Sequence, residues 1–159
     1  MKILVIDGQG GGVGRSLVVA LKQLMPQQPL TALGTNVQAT AAMLKAGAEQ
    51  GASGENAIRY QCKTADVIVG VTGLLHANAM MGEISPAIAM AVSLSEAKKV
   101  LVPLERCGLY IAGVGEQSLD ALVRQAARMV AQLTAQTIPS TSVSPQPDNR
   151  TNASPCNER

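Results

Sequence analysis

Two rhythms of apolar residues alternate along the chain, and their alternation predicts an α/β domain. Residues 1–7 are a short, nearly continuous apolar run, the pattern of a strand buried on both faces. Val13, Leu17, Ala20, Leu21 and Leu24 then recur at helical spacing, predicting a helix over 13–25 that Pro26 ends. Residues 30–33 begin a second strand that closes in Gly34, Thr35 and Asn36, and Thr35 or Asn36 caps a helix over 37–46, with Gly47 as its stop. Residues 47–56, glycines among small polar residues, read as a loop, and 57–62 as a short strand. Asp66 to Gly70 reads as a buried strand running into Val71, Thr72 and Gly73, while 74–82 follow neither rhythm. Ser85 and Pro86 are an N-cap and a first-turn proline opening a helix to Ser95. Residues 99–104 and 109–114 read as strands joined tightly at Arg106, Cys107 and Gly108. A last helix starts at Ser118 and places Leu119, Leu122, Val123, Ala126, Ala127, Val130 and Leu133 on one face. From residue 136 the composition turns to Pro, Ser, Thr, Asn and Gln, which predicts a domain over 1–135 and a disordered polar tail over 136–159.

Strand–helix units of this length predict a small Rossmann-like three-layer sandwich with a mostly parallel sheet and right-handed crossovers. The length of 159 residues suffices for one domain. With no Phe or Trp and two Tyr, the core must be aliphatic, with Met80, Met81, Met90 and Met129 expected as filler. The scarcity of aromatics argues against a base-stacking nucleic-acid module, and a net charge of +2 argues against phosphate-backbone or membrane-surface binding. Residues 1–7 are too short, and too directly followed by glycines, for a signal segment, and no apolar run reaches membrane-spanning length. Cys62, Cys107 and Cys156 follow no metal or disulfide spacing, so reduced thiols and a cytoplasmic location are expected. The apolar composition favours a homodimer or another homo-oligomer.

The chemistry concentrates where the first strand meets the first helix. Gly8, Gln9, Gly10, Gly11, Gly12, Val13, Gly14, Arg15 and Ser16 join them, an arrangement that presents bare amides and a helix N-terminus to an anion such as a nucleotide's phosphates. In the usual dinucleotide register, starting from Gly8 and Gly10, the third glycine falls on Val13. The variant Gly-x-x-x-Gly-x-Gly fits Gly8, Gly12 and Gly14, and is similar to the loop of short-chain dehydrogenases, which usually carry Thr where this chain has Asp7. That resemblance implies that Gly8 turns the chain, Gly12 admits the pyrophosphate and Gly14 brings helix against sheet. The catalytic Tyr-x-x-x-Lys of that family is missing, since Tyr60 and Lys63 stand one residue too close and too early. No carboxylate follows the second strand, and a neutral Thr35–Asn36 end near Arg15 tolerates a 2′-phosphate, which puts NADP ahead of NAD.

The same loop resembles the deviant Walker loop of partitioning-type ATPases, with Gly10 and Arg15 where two lysines belong. Asp66 begins its strand instead of closing it, so the magnesium-binding Asp is wanting too. A third alternative is that the glycines merely let helix and strand pack closely. Thr72 and Gly73, like Thr35 and Asn36, follow strand ends and are expected to line the crevice above the glycine turn. Asp7 is expected to accept loop amides. Glu55 and Glu83 are either ribose or acid–base contacts, or a solvated residue and a helix-dipole partner. His76 with Cys62 and Cys107 makes no recognised metal pattern.

Several motifs in order, namely Ile6 to Gly14, Ala32 to Asn36, Ala42 to Ala48, Gly54 to Asn56, Met81 to Pro86 and Lys98 to Leu104, are similar to a small family of compact single domains from largely anaerobic bacteria, with no assigned reaction. The resemblance covers about residues 1–130 and implies fold and compartment, not a substrate. The expected function is binding of an adenine (di)nucleotide by a sensing or delivery module, or by a minimal oxidoreductase.

Overall fold

The computed structural model describes residues 1–104 and 109–136. Five parallel strands form one sheet among the described residues: β1 (Ile3–Asp7), β2 (Leu30–Gly34), β3 (Gln50–Ser53), β4 (Val67–Val71) and β5 (Lys98–Val102), in the order β3-β2-β1-β4-β5. Helices α1 (Gly12–Leu24), α2 (Val37–Lys45) and α5 (Leu119–Gln136) pack on one face. Helices α3 (Glu55–Cys62) and α4 (Pro86–Leu94) cover the other. This is the expected Rossmann-like three-layer sandwich, and its sheet is parallel throughout.

The central strands β1 and β4 are buried along their whole lengths, which is why both read as unbroken apolar runs. Helix α1 buries Leu17, Val18 and Leu21, and α5 buries Val123, Ala127 and Val130, as their spacing requires. Asn36 caps α2 by accepting the Ala39 amide at 2.9 Å, and Ser85 caps α4 through the Ile88 amide at 3.2 Å.

Four expectations fail. Residues 47–56 are not all loop, because Gln50–Ser53 pairs with β2 from Thr31↔Gln50 to Gly34↔Ser53. As an exposed edge strand it is held by backbone bonds and needs no apolar signature; Gly51 is required because a Cβ there would lie 2.9 Å from the Thr40 methyl. Residues 57–62 are helix, not strand. Ile58 and Cys62 satisfy a period of two, but they are also one helical turn apart, and they are the residues that α3 buries. The exposed Tyr60 supplied the misleading third beat. Residues 109–114 form no strand, and the predicted connection at 106–108 lies outside the described residues, as does the predicted tail beyond Gln136. The methionines are not all core: Met81 is 95% exposed, and Met90 and Met129 are exposed.

Candidate functional site

Strand order reverses between β1 and β4, since β1 leads outward to β2 and β4 to β5. Such a switch point leaves a crevice above the strands' carboxyl ends. A cavity of about 400 Å³ opens there. Its floor is Asp7, the turn Gly8–Gly12 and Val13; its walls are Val71, Gly73, His76, Ala79, Met80, Met81, Leu104, Leu109 and Leu119.

Each glycine of the turn meets a different demand. Gly11 sits at φ +70°, and a Cβ there would lie 2.7 Å from the Ala39 Cα on α2. A Cβ on Gly14 would lie 2.6 Å from the Met43 sulfur and 2.7 Å from the Asp7 Cβ, so Gly14 lets α1 close onto the sheet. Gly12, which also lines the cavity, has nothing within 4 Å of its missing Cβ.

Two carboxylates organise the turn from opposite sides. Asp7, buried at the end of β1, accepts the Gly8 amide at 2.8 Å and the Gly14 amide at 2.6 Å, as expected of it. Burial pushes its carboxyl above the ordinary value; the Gly14 and Gly8 amides oppose that shift and the charge of Glu83 adds to it. Glu83 accepts the Gln9 amide at 2.8 Å through Oε2, and the same oxygen accepts from Thr35 Oγ1 and, at 3.0 Å, from Asn36 Nδ2. Burial raises the Glu83 carboxyl, but these bonds outweigh it and the net shift is downward. The Gly11 amide donates to Gly8 O at 2.9 Å. The amides of Gly10 and Gly12 remain without a hydrogen-bond partner among the described residues, and both residues line the cavity.

The expected site residues divide. Gly8, Gln9, Gly10, Gly11, Gly12, Val13 and Gly73 line the cavity; Gly14 lies behind it. Arg15 and Ser16 are exposed on α1 and do not line it, and Ser16 Oγ donates back to Gly12 O at 3.1 Å. Thr35 and Asn36 are engaged by Glu83. Thr72 clamps the end of β5, accepting the Leu104 amide at 3.2 Å. The neutral end expected for β2 is corrected by Glu83, which the fold brings there from beyond the turns after β4. Asp66 accepts the Lys2 amide at 2.5 Å, at the opposite end of the sheet from the glycine turn, so it lends the Walker alternative no magnesium ligand. Tyr60 and Lys63 lie on the α3 side, away from the cavity. Glu55 accepts from Ser85 Oγ at 2.6 Å and pairs with Arg59, a surface role. No cluster that could hold a metal occurs among the described residues.

Sequence reasoning does not place His76, Ala79, Met80 and Met81 at the site: it weighs His76 as a metal ligand and takes Met80 and Met81 as core filler. They belong to a stretch without periodicity, where Asn78, Met80, Met81 and Gly82 all take positive φ. Such turns leave no hydrophobic rhythm, and the signal that existed was Glu83, set between a glycine and a helix cap.

The chain belongs to the family described as Domain of unknown function (DUF3842), whose match spans residues 2–135. No curated protein matches it. Among solved structures it is similar to a dodecameric FMN-dependent UbiX-like decarboxylase from Escherichia coli O157:H7, at 15% identity and a TM-score of 0.48, covering 92% of this chain and 100% of that one. No helix among the described residues is long and apolar enough to cross a membrane.

Proposed function

We propose that this chain binds an adenine nucleotide, NAD in preference to NADP, as a sensing or delivery module. The observation that carries the reading is the pair of amides at Gly10 and Gly12, on the floor of the switch-point cavity, that have no hydrogen-bond partner among the described residues. Two adjacent backbone donors and the positive end of α1 suit a phosphate oxygen, and the apolar walls suit a planar ring. Glu83 sets the cofactor preference. Its Oε2 is committed to Gln9, Thr35 and Asn36, and its Oε1 has no hydrogen-bond partner among the described residues; a ribose diol that reached past the glycine turn to it would find an acceptor, and a 2′-phosphate there would face like charge. The sequence puts NADP ahead of NAD on the strength of a neutral end of β2; the opposite order proposed here rests on Glu83 standing at that end. Among the described residues, the titratable side chains lining the cavity are Asp7, already spent on two amides, and His76.

A dye-based thermal shift against NAD, NADH, NADP, NADPH, AMP, FMN and ATP with magnesium tests this. A ligand at about a hundred times its dissociation constant adds roughly 2.7 kcal/mol, several degrees for a domain of this size. The expected result is a shift with NAD or NADH that exceeds the shift with the 2′-phosphorylated forms. Absence of a shift with every nucleotide overturns the proposal, and a shift confined to ATP replaces the dinucleotide with a triphosphate.

A further inference from the structure

The sheet face opposite α1 is covered only by α3 and α4, among the described residues, and α4 is unlike a surface helix. Its nine residues, Pro86–Leu94, include no charged side chain, and the only hydroxyl is Ser93. Helices apolar on every side are normally enclosed, yet Met90 is 60% and Leu94 74% exposed. Tyr60 on α3, 67% exposed, extends the same patch across a groove of about 500 Å³ between the two helices.

The rim of that groove indicates what covers it. Ser95 Oγ donates to Cys62 O at 2.7 Å and ties the C-terminal ends of α3 and α4 together. Beside this tie stand Lys63 on the α3 bank and Glu96 on the α4 bank, both exposed and neither with an ion-pair partner among the described residues. Opposite charges on opposite banks at one end of an apolar groove are self-complementary. A two-fold axis running along the groove lays α3 of one copy over α4 of the other, so that each Lys63 meets the other copy's Glu96 and the pair forms twice per dimer. The chain's own remainder is a poor occupant. Helix α5 ends at Gln136 on the far face of the sheet, and residues 137–159 offer Ile138, Val143 and Cys156 among mostly polar residues.

We propose that the α3–α4 groove is the homodimer interface, with a second copy of this chain as its occupant and reciprocal Lys63–Glu96 pairs at its rim. Light scattering on the full chain tests it, with far-UV circular dichroism to verify folding. The wild type should show twice the chain mass of 16.4 kDa, and Leu94→Glu the single mass with an unchanged spectrum. Met129→Glu, on exposed α5, should leave the dimer intact and excludes general loss of stickiness as the cause. Lys63→Glu should weaken the dimer roughly tenfold, and the swap K63E/E96K should restore it. A wild type monomeric at about 100 μM overturns the proposal. So does a Leu94→Glu variant of unchanged mass, or a double swap no tighter than Lys63→Glu alone.

Discussion

The carboxylate of Glu83 accepts the backbone amide of Gln9 at 2.8 Å across 74 residues of sequence, and this bond joins the β4–α4 turns to the glycine turn. The same oxygen gathers Thr35 and Asn36 from the end of β2, so three donors from two separate segments converge on one acceptor. Charge-assisted bonds of this kind stabilise more than neutral ones.

Glu83→Gln should therefore destabilise the fold by about 1–2 kcal/mol at neutral pH, read from urea unfolding. In nucleotide binding the same variant should narrow the gap between NAD and NADP by roughly tenfold, since the repelling charge is gone. An unchanged selectivity would separate Glu83 from the ribose while leaving its structural role standing.

The acid limb follows from the sign of each shift. Glu83 has a lowered carboxyl pKa in the fold, so its contribution is present above the ordinary value of 4.5 and is lost as pH falls through the lower folded value. Wild type should lose stability more steeply than Glu83→Gln below that ordinary value.

Asp7 runs the other way. Its raised folded pKa means that its charge costs stability at neutral pH, and the cost is relieved as pH falls through the raised value towards the ordinary 3.8. Asp7→Asn removes the titration and also turns an NH2 towards one of two amides, costing about 1–3 kcal/mol at neutral pH. The stability gap between wild type and this variant should widen from neutral to about pH 4, as unfolding at a series of pH values would reveal.

Two alanine substitutions in one turn should behave oppositely. Gly14→Ala drives a Cβ to 2.6 Å from the Met43 sulfur and should cost about 2 kcal/mol or more. Gly12→Ala meets open space at the first residue of α1, and should be neutral or stabilise by up to about 1 kcal/mol. Gly12 lines the cavity and carries one of the two amides proposed to bind phosphate, so nucleotide affinity should fall about tenfold or more although the fold is intact. Thermal melting with and without ligand separates the two effects.

Burial pushes the Cys62 thiol up to about 11, with Lys99 and Lys2 opposing. In a chain carrying Cys107→Ser and Cys156→Ser, Cys62 should resist thiol labelling at pH about 8 until denaturant is added. Rapid labelling of the folded chain would count against the packing of α3.

Local pattern was enough wherever one segment's own residues decided its fate. The apolar runs of β1 and β4, the faces of α1 and α5, and the caps at Asn36 and Ser85 were all legible, because burial and capping act over a few neighbouring positions. The glycine turn was legible for the same reason, and Gly8–Val13 do floor the cavity. Only the tertiary structure decided that Gln50–Ser53 is a strand, because an edge strand is made by its neighbour's backbone and not by its own side chains. It decided as well that Ile58 and Cys62 mark a helix, since two periods fit the same two residues until a sheet face is there to receive one of them. Part of the cavity's wall, His76 to Met81, came from turns without rhythm, and the carboxylate at the end of β2 came from Glu83. A sequence determines which segments must hide from water. Which distant polar atoms then meet depends on how those segments pack, and in this chain that packing brought the Glu83 carboxylate to the glycine turn and the end of β2.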